Sequence, residues 1–174
     1  MDVQRGPAMA EPVLMVADAE AVAGAGLEWP RWRPMERQDL DWHAEMSWLV
    51  HPHAPPHDSP EAHLELTKSA FDGEWGEVWH EASPVALSED GERIGTVLVV
   101  RSLERPGAPV GAYVLNCMVD PAWKRRGIAE GLMVASACVI ANAAEQRIAL
   151  SVDAQNEGAI ALYRKLGFEE LARG

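Results

Sequence analysis

Residues 113–144 place the tightest constraint on the fold. An apolar run from Tyr113 to Val119 stops at Asp120-Pro121, a basic turn follows at Lys124-Arg125-Arg126, and Gly127 leads into a long apolar segment from Ile128 to Ala144. The order predicts strand, turn, helix. Ile128, Leu132, Ala135, Val139 and Ala143 fall at the spacing of a helix with one face in a core. The first N–H groups of such a helix have no partner within it and carry the positive end of its dipole. A glycine at that point lets a ligand reach the main chain. Taken alone, the turn reads equally as a solvated connection or as an anion site sized for a pyrophosphate. A Walker loop is excluded because no Gly-Lys-Ser/Thr follows, and the G-x-G-x-x-G dinucleotide fingerprint is missing.

Charge narrows the partner. The chain of 174 residues carries a net charge of −12, which argues against a nucleic-acid binder because phosphate neutralisation needs a basic face. Within it Lys124-Arg125-Arg126 is a local exception that suits a small polyanion. The length fits one domain with a full core. Cys117 and Cys138 each sit inside an apolar run and read as buried free thiols of a reducing compartment, without zinc spacing. Glu11, Pro12, Asp18 and Glu20 interrupt the N-terminal apolar stretch, so no signal peptide is expected, and no run approaches the ~18 apolar residues of a spanning helix. The expectation is a soluble, cytoplasmic protein with no membrane partner.

Residues 1–27, rich in Ala and Gly, are taken as an extension and 28–174 as the domain. Val13–Val16 suits a short strand within that extension. Glu28–Met35 forms an edge strand, limited by Pro30 and Pro34. Asp39 is expected to cap a helix through Val50, and Ser59-Pro60 to open another bearing Leu64, Leu66 and Phe71. A hairpin turns at Asp90-Gly91 between apolar strands. Ile148–Val152 is a buried strand, Asn156–Leu166 a helix closed by Gly167, and Phe168–Leu171 a last short strand. Early helices, a strand meander and a β-α-β-α tail describe an α+β fold with a mixed sheet.

A second constellation runs from Asp153 to Phe168. Asn156 is a natural N-cap, which alone accounts for it. Tyr163, at helical spacing from Ala159 and Leu166, has a phenol that needs a partner if buried and that can donate a proton. With the first constellation it forms a recognisable pair. Val119-Asp-Pro-Ala-Trp-Lys124-x-x-Gly127-x-Ala129 resembles motif A of the GNAT superfamily of acyl-CoA-dependent N-acetyltransferases, and Asn156 through Phe168, with its Leu-Tyr and closing Leu-Gly-Phe, resembles motif B. The separation suits one helix and one strand, and the resemblance spans residues 84–171.

The resemblance implies a mostly antiparallel mixed sheet flanked by helices and splayed at its two central strands. It implies acetyl-CoA as acyl donor, with no metal. The strand end Cys117, Met118 and Val119 is then expected to bond the pantetheine arm through its backbone. The N–H groups of Arg125, Arg126, Gly127, Ile128, Ala129 and Glu130 are expected to hold the pyrophosphate. Lys124 stands where the family usually has Arg or Gln, keeping a charge without the planar fork. Asn156 is expected to touch the cofactor arm, and Tyr163 to protonate the departing thiolate. The implied acceptor is a primary amine, a small molecule in preference to a protein N-terminus. The rival reading is a CoA-binding sensor without turnover.

A free ammonium must lose a proton before it attacks. Ser151 occupies the position that holds a glutamate base in members resembling ribosomal-protein N-terminal acetyltransferases. The base must then come from the early half, from His80 or Glu81, or act through water. His51, His53, His57 and His63 lie in or beside a Pro-rich loop and read as incidental rather than metal-binding. That loop, with Trp75 and Trp79, is expected to shape the acceptor pocket, although the tryptophans read equally as core. The family usually ends on two further strands, and this chain has room for one, leaving the N-terminal segment or a second subunit, in a homodimer, to complete the sheet.

Overall fold

A computed structural model of the chain describes residues 11–27, 30–51 and 56–171. Among these residues seven strands, β1 (Val13–Asp18), β2 (Arg31–Pro34), β3 (Pro84–Leu87), β4 (Arg93–Val100), β5 (Ala112–Val119), β6 (Arg147–Val152) and β7 (Glu169–Glu170), form one open sheet in the order β2-β3-β4-β5-β6-β1-β7. Every neighbouring pair is antiparallel except β5 and β6. Helices α1 (Ala19–Ala23), α4 (Ile128–Asn142) and α5 (Glu157–Lys165) cover one face, and α2 (Leu40–Val50) and α3 (Pro60–Phe71) the other.

Local chemistry sets most boundaries. Ser59 caps α3 by accepting the Ala62 N–H at 3.1 Å, with Pro60 at the first helical position, where its missing N–H costs nothing. Asn156 caps α5 through the Ala159 N–H, and Gly167, at φ +97°, ends it. The β3–β4 hairpin turns through Gly91 at φ +84°. Asp39 stands at the N-cap position of α2, as expected, but its side chain makes no capping bond to that helix. Its fully buried carboxylate takes Arg33 Nη1 and Nη2 at 2.7 and 2.8 Å, Arg93 Nη1 at 3.0 Å and the Glu36 N–H at 2.9 Å. Burial raises its pKa, but these donors outweigh burial and hold it at about 2.

The main core lies between α4 and the sheet. Ile128, Leu132, Met133 and Ile140 are fully buried there against Ile94, Val97, Ile148 and Leu150, each contributing ~1.5–3 kcal/mol over exposure. Gly95 lies beneath α4: a Cβ there would stand 3.4 Å from the Ile128 and Leu132 side chains and 2.8 Å from the Met118 carbonyl oxygen of β5. The segment expected to be an extension is woven into this core where it is described. β1 lies between β6 and β7, and Met15, Ala19 and Val22 are fully buried. The N-terminal segment, the first of the two alternatives, thus supplies a strand of the sheet. The edge strand expected over 28–35 is β2, its first two residues lying outside the described ones. None of the described helices is long and apolar enough to cross a membrane.

Two features of β5 position the site. It pairs with β6 only at Ala112, Tyr113 and Val114, so the strands part beyond Val114. Opposite β4, Leu98 pairs with Asn116 and Val99 with Val114, which makes Leu115 the extra residue of a β-bulge. A bulge re-aims the side chains around it: Val114, Cys117 and Val119 join the core under α4, while Asn116 turns to α2.

Candidate functional site

The cleft opened by the parting strands has two sides. On the side of α4 and α5, a cavity of about 380 Å³ is bounded by Cys117, Val119 and Trp123 on one wall and Gly158, Ala159 and Tyr163 on the other. Its floor is the turn into α4, with Lys124, Arg125, Gly127, Ile128, Ala129 and Glu130 all on the lining. Arg125 and Gly127 both adopt left-handed backbone, at φ +61° and +77°. Such turns point successive N–H groups into one concavity, an anion nest at the positive end of the helix. A Cβ built on Gly127 meets no atom within 4 Å, so space as well as conformation is open there.

The other expected residues are placed differently. Met118 is buried at 1% exposure and is not on the lining of the cavities beside β5. Arg126 is off the lining, its guanidinium 4.7 Å from the Trp123 ring centroid. Glu130 is paired with Lys165 at 2.8 Å, which offsets its charge beside the nest. Asn156 borders a second, adjoining cavity of about 560 Å³ between the parted ends of β5 and β6, which also meets Cys117 and Tyr163.

Tyr163 and Cys117 therefore stand together where the two cavities meet. Burial, then the neighbouring sulfur, raises the Tyr163 pKa well above the usual phenol range. Burial pushes the Cys117 thiol up to about 12, against the opposing pull of the phenol. Both are neutral at physiological pH, so Tyr163 holds a proton to donate and Cys117 is a poor nucleophile.

On the other face, the side chains meeting β5 come from helices far away in sequence. His43, 2% exposed, places Nε2 3.2 Å from Asn116 Nδ2 and 3.3 Å from its Oδ1, with Nδ1 3.4 Å from Thr67 Oγ1. Burial lowers its pKa to about 4, despite the hydrogen bond to Asn116, so it is a neutral imidazole. Ser151 accepts the Tyr113 hydroxyl at 2.8 Å and faces the larger cavity. His80 and Glu81, the expected bases, are elsewhere: His80 Nδ1 bonds the Met35 carbonyl at 2.9 Å, and neither lines the cavities beside β5. Trp75 faces the α2/α3 side of β5, but Trp79 is buried in the core under α4 with Arg101 stacked on it. His63 belongs to α3, its ring between Ser47 Oγ and the His57 carbonyl; His53 lies outside the described residues. No group of three or more His, Cys, Asp or Glu side chains fit to hold a metal occurs among the described residues.

His43 and Asn116 do not stand out in the sequence. The one signal it offers is a lone polar residue, Asn116, inside the apolar run 113–119.

Comparison with known proteins bears on the family and the fold. A model of the acetyltransferase (GNAT) family matches residues 42–168. A mycothiol acetyltransferase of Clavibacter sepedonicus is 29% identical over 107 residues, 62% of this chain and 34% of that protein. The N-alpha-acetyltransferase 30 of Schizosaccharomyces pombe is 34% identical over 90 residues, 52% of this chain and 59% of that one. The chain thus spans about a third to three-fifths of the length of these relatives. Among solved structures, an aminoglycoside N-acetyltransferase, AAC(6')-Iy, in complex with CoA shares the fold at a TM-score of 0.60 and 20% identity, over 86% of this chain and 95% of that one.

Proposed function

Because the chain belongs to the acetyltransferase (GNAT) family, we propose that it transfers an acetyl group from acetyl-CoA to the nitrogen of a primary amine, a small molecule in preference to a protein N-terminus. One observation carries the reading: the left-handed turn at Arg125 and Gly127 opens on the same cavity that Tyr163 and Cys117 close. Anion nest and proton donor thus line one cavity. The open space over Gly127 and the positive helix end suit a pyrophosphate. Beyond Val114 the β5 backbone no longer pairs with β6, so Cys117 to Val119 can bond a pantetheine arm as an added strand would.

Acetyl-CoA supplies an activated thioester. The chain does the rest. Backbone N–H groups beside the bulge face the charge that builds on the carbonyl oxygen. Tyr163 delivers its proton to the departing sulfur, and the raised pKa keeps that proton in place at any physiological pH. Asn156 orders the α5 end of the channel. With Ser151 where related enzymes carry a carboxylate, and with His80 and Glu81 away from the cleft, the amine proton leaves through the larger cavity, whose lining carries His51 and Asp153. Ser151 is also what favours a second reading, a CoA-binding sensor that lacks turnover.

Thiol release from acetyl-CoA in the presence of a panel of amines separates the two. The acyltransferase reading predicts amine-dependent thiol formation with one acetylated nitrogen per thiol; tight CoA binding without turnover on any amine supports the sensor.

A further inference from the structure

Resting on that acyltransferase reading, we infer that the recess between α2, α3 and β5 is the acceptor subsite, that Asn116 is the hydrogen-bonding anchor of the amine, and that the site takes a monoamine on a slim, uncharged apolar or aromatic body.

The recess, about 140 Å³, is walled by Leu66, Ala70, Trp75 and Leu115. Its floor is polar, from His43, Ser47, Thr67 and Asn116. Asn116 borders both this recess and the 560 Å³ cavity in the mouth of the splay. It is therefore placed to touch an acceptor held on one side and the reacting carbonyl on the other. The Leu115 bulge creates this placement, since regular alternation would not set Val114 and Cys117 on one face with Asn116 on the other.

An asparagine amide has a donor end and an acceptor end. His43, buried and neutral, engages one end, and Thr67 holds the far nitrogen of the imidazole. The other end is left to the cleft and can bond an amine nitrogen. His43 is thus a positioning residue acting through Asn116. The walls decide the body of the substrate. Among the described residues lining the recess there is no carboxylate, and the charge stacked on its wall is the Arg105 guanidinium, 4.2 Å from the Trp75 ring centroid. A polycation would meet repulsion at that wall with no carboxylate on the recess lining to offset it, Asp153 lying in the adjoining cavity, whereas an aromatic or aliphatic body matches Trp75 and Leu66.

The test is steady-state kinetics on the full chain with phenethylamine and spermidine as probes. Phenethylamine is expected to show a kcat/KM roughly tenfold or more above spermidine. Asn116→Ala is expected to raise the phenethylamine KM roughly tenfold, the scale of one lost hydrogen bond, with the acetyl-CoA KM within about twofold. His43→Leu should do the same, and His43→Gln, which keeps a partner for the Asn116 amide, should restore most of the affinity. An unchanged amine KM in Asn116→Ala, a parallel rise of both KM values, or a preference for spermidine overturns the inference while leaving acyl transfer standing. A wild-type protein that releases no thiol on any amine overturns the acyltransferase reading and this inference with it.

Discussion

The two faces of β5 are built by different means. Toward α4 and α5, one wall and the floor of the cleft come from one continuous stretch, the strand end, the Lys124–Gly127 turn and the first turn of α4, with α5 as the other wall, and the groups proposed to hold the cofactor are main-chain N–H donors. Toward α2 and α3, it is made of single side chains, His43, Thr67 and Asn116, brought together from elements up to 73 residues apart. A backbone nest tolerates many side chains as long as its dihedrals are kept. A side-chain site depends on each residue and on the frame that holds it. On the proposed assignment, the first design would suit a shared cosubstrate and the second a more particular acceptor.

That contrast can be strained at four points. The frame of the acceptor face hangs on Asp39, which joins β2 to β4 at the start of α2. Asp39→Ala leaves Arg33 and Arg93 without their shared partner and should cost about 3 kcal/mol, a hundredfold or more in the folding equilibrium, measured by urea denaturation at pH 7. Its folded pKa of about 2 lies below the ordinary carboxylate value, so this stabilisation is present above that value and is lost as pH falls from about 4 toward 2. The gap between wild type and variant should therefore narrow on acidification; a constant gap would show that the carboxylate charge is not what stabilises.

At the junction of the two faces, Tyr163→Phe should lower kcat roughly a hundredfold with acetyl-CoA affinity retained. In the wild type the raised Tyr163 pKa predicts no loss of rate through phenol ionisation at its ordinary pKa near 10. Unchanged turnover in the variant would remove the residue from the mechanism. On the cofactor face, Gly127→Val forces a β-branched residue into left-handed backbone at about 2 kcal/mol, and acetyl-CoA binding by calorimetry should weaken roughly thirtyfold. Lys124→Gln, by contrast, should weaken it only about threefold, because an exposed charge contributes little beside the main-chain donors. A lysine that mattered more than the glycine would contradict a backbone-built cofactor face.

The same contrast separates what is legible in the amino-acid sequence from what is not. The α4 segment, Gly127, Asn156 and Gly167 declare themselves because their demands are local: a helical period, a left-handed turn, a cap, a helix stop. Asp39 misleads because its position before a helix suggests a cap, while the arginines that claim it sit on strands, Arg93 being 54 residues away. Trp79, expected beside the acceptor, lies under α4, since an aromatic residue carries no mark of which face of a sheet it joins. The N-terminal segment has the plain composition of a loose extension, yet β1 and α1 gain their stability from β6 and α4. The bulge at Leu115 leaves no trace in an almost uniformly apolar run, and neither does the turning of Asn116 toward His43.

A crystal structure of the protein with CoA tests most directly whether the two faces divide the work in this way. The pyrophosphate is expected on the N–H groups of residues 125–130, the pantetheine arm along Cys117 to Val119 and the sulfur beside Tyr163, with the recess at Asn116 left free for the acceptor. CoA lying on the α2/α3 face, or a sulfur remote from Tyr163, would contradict that division.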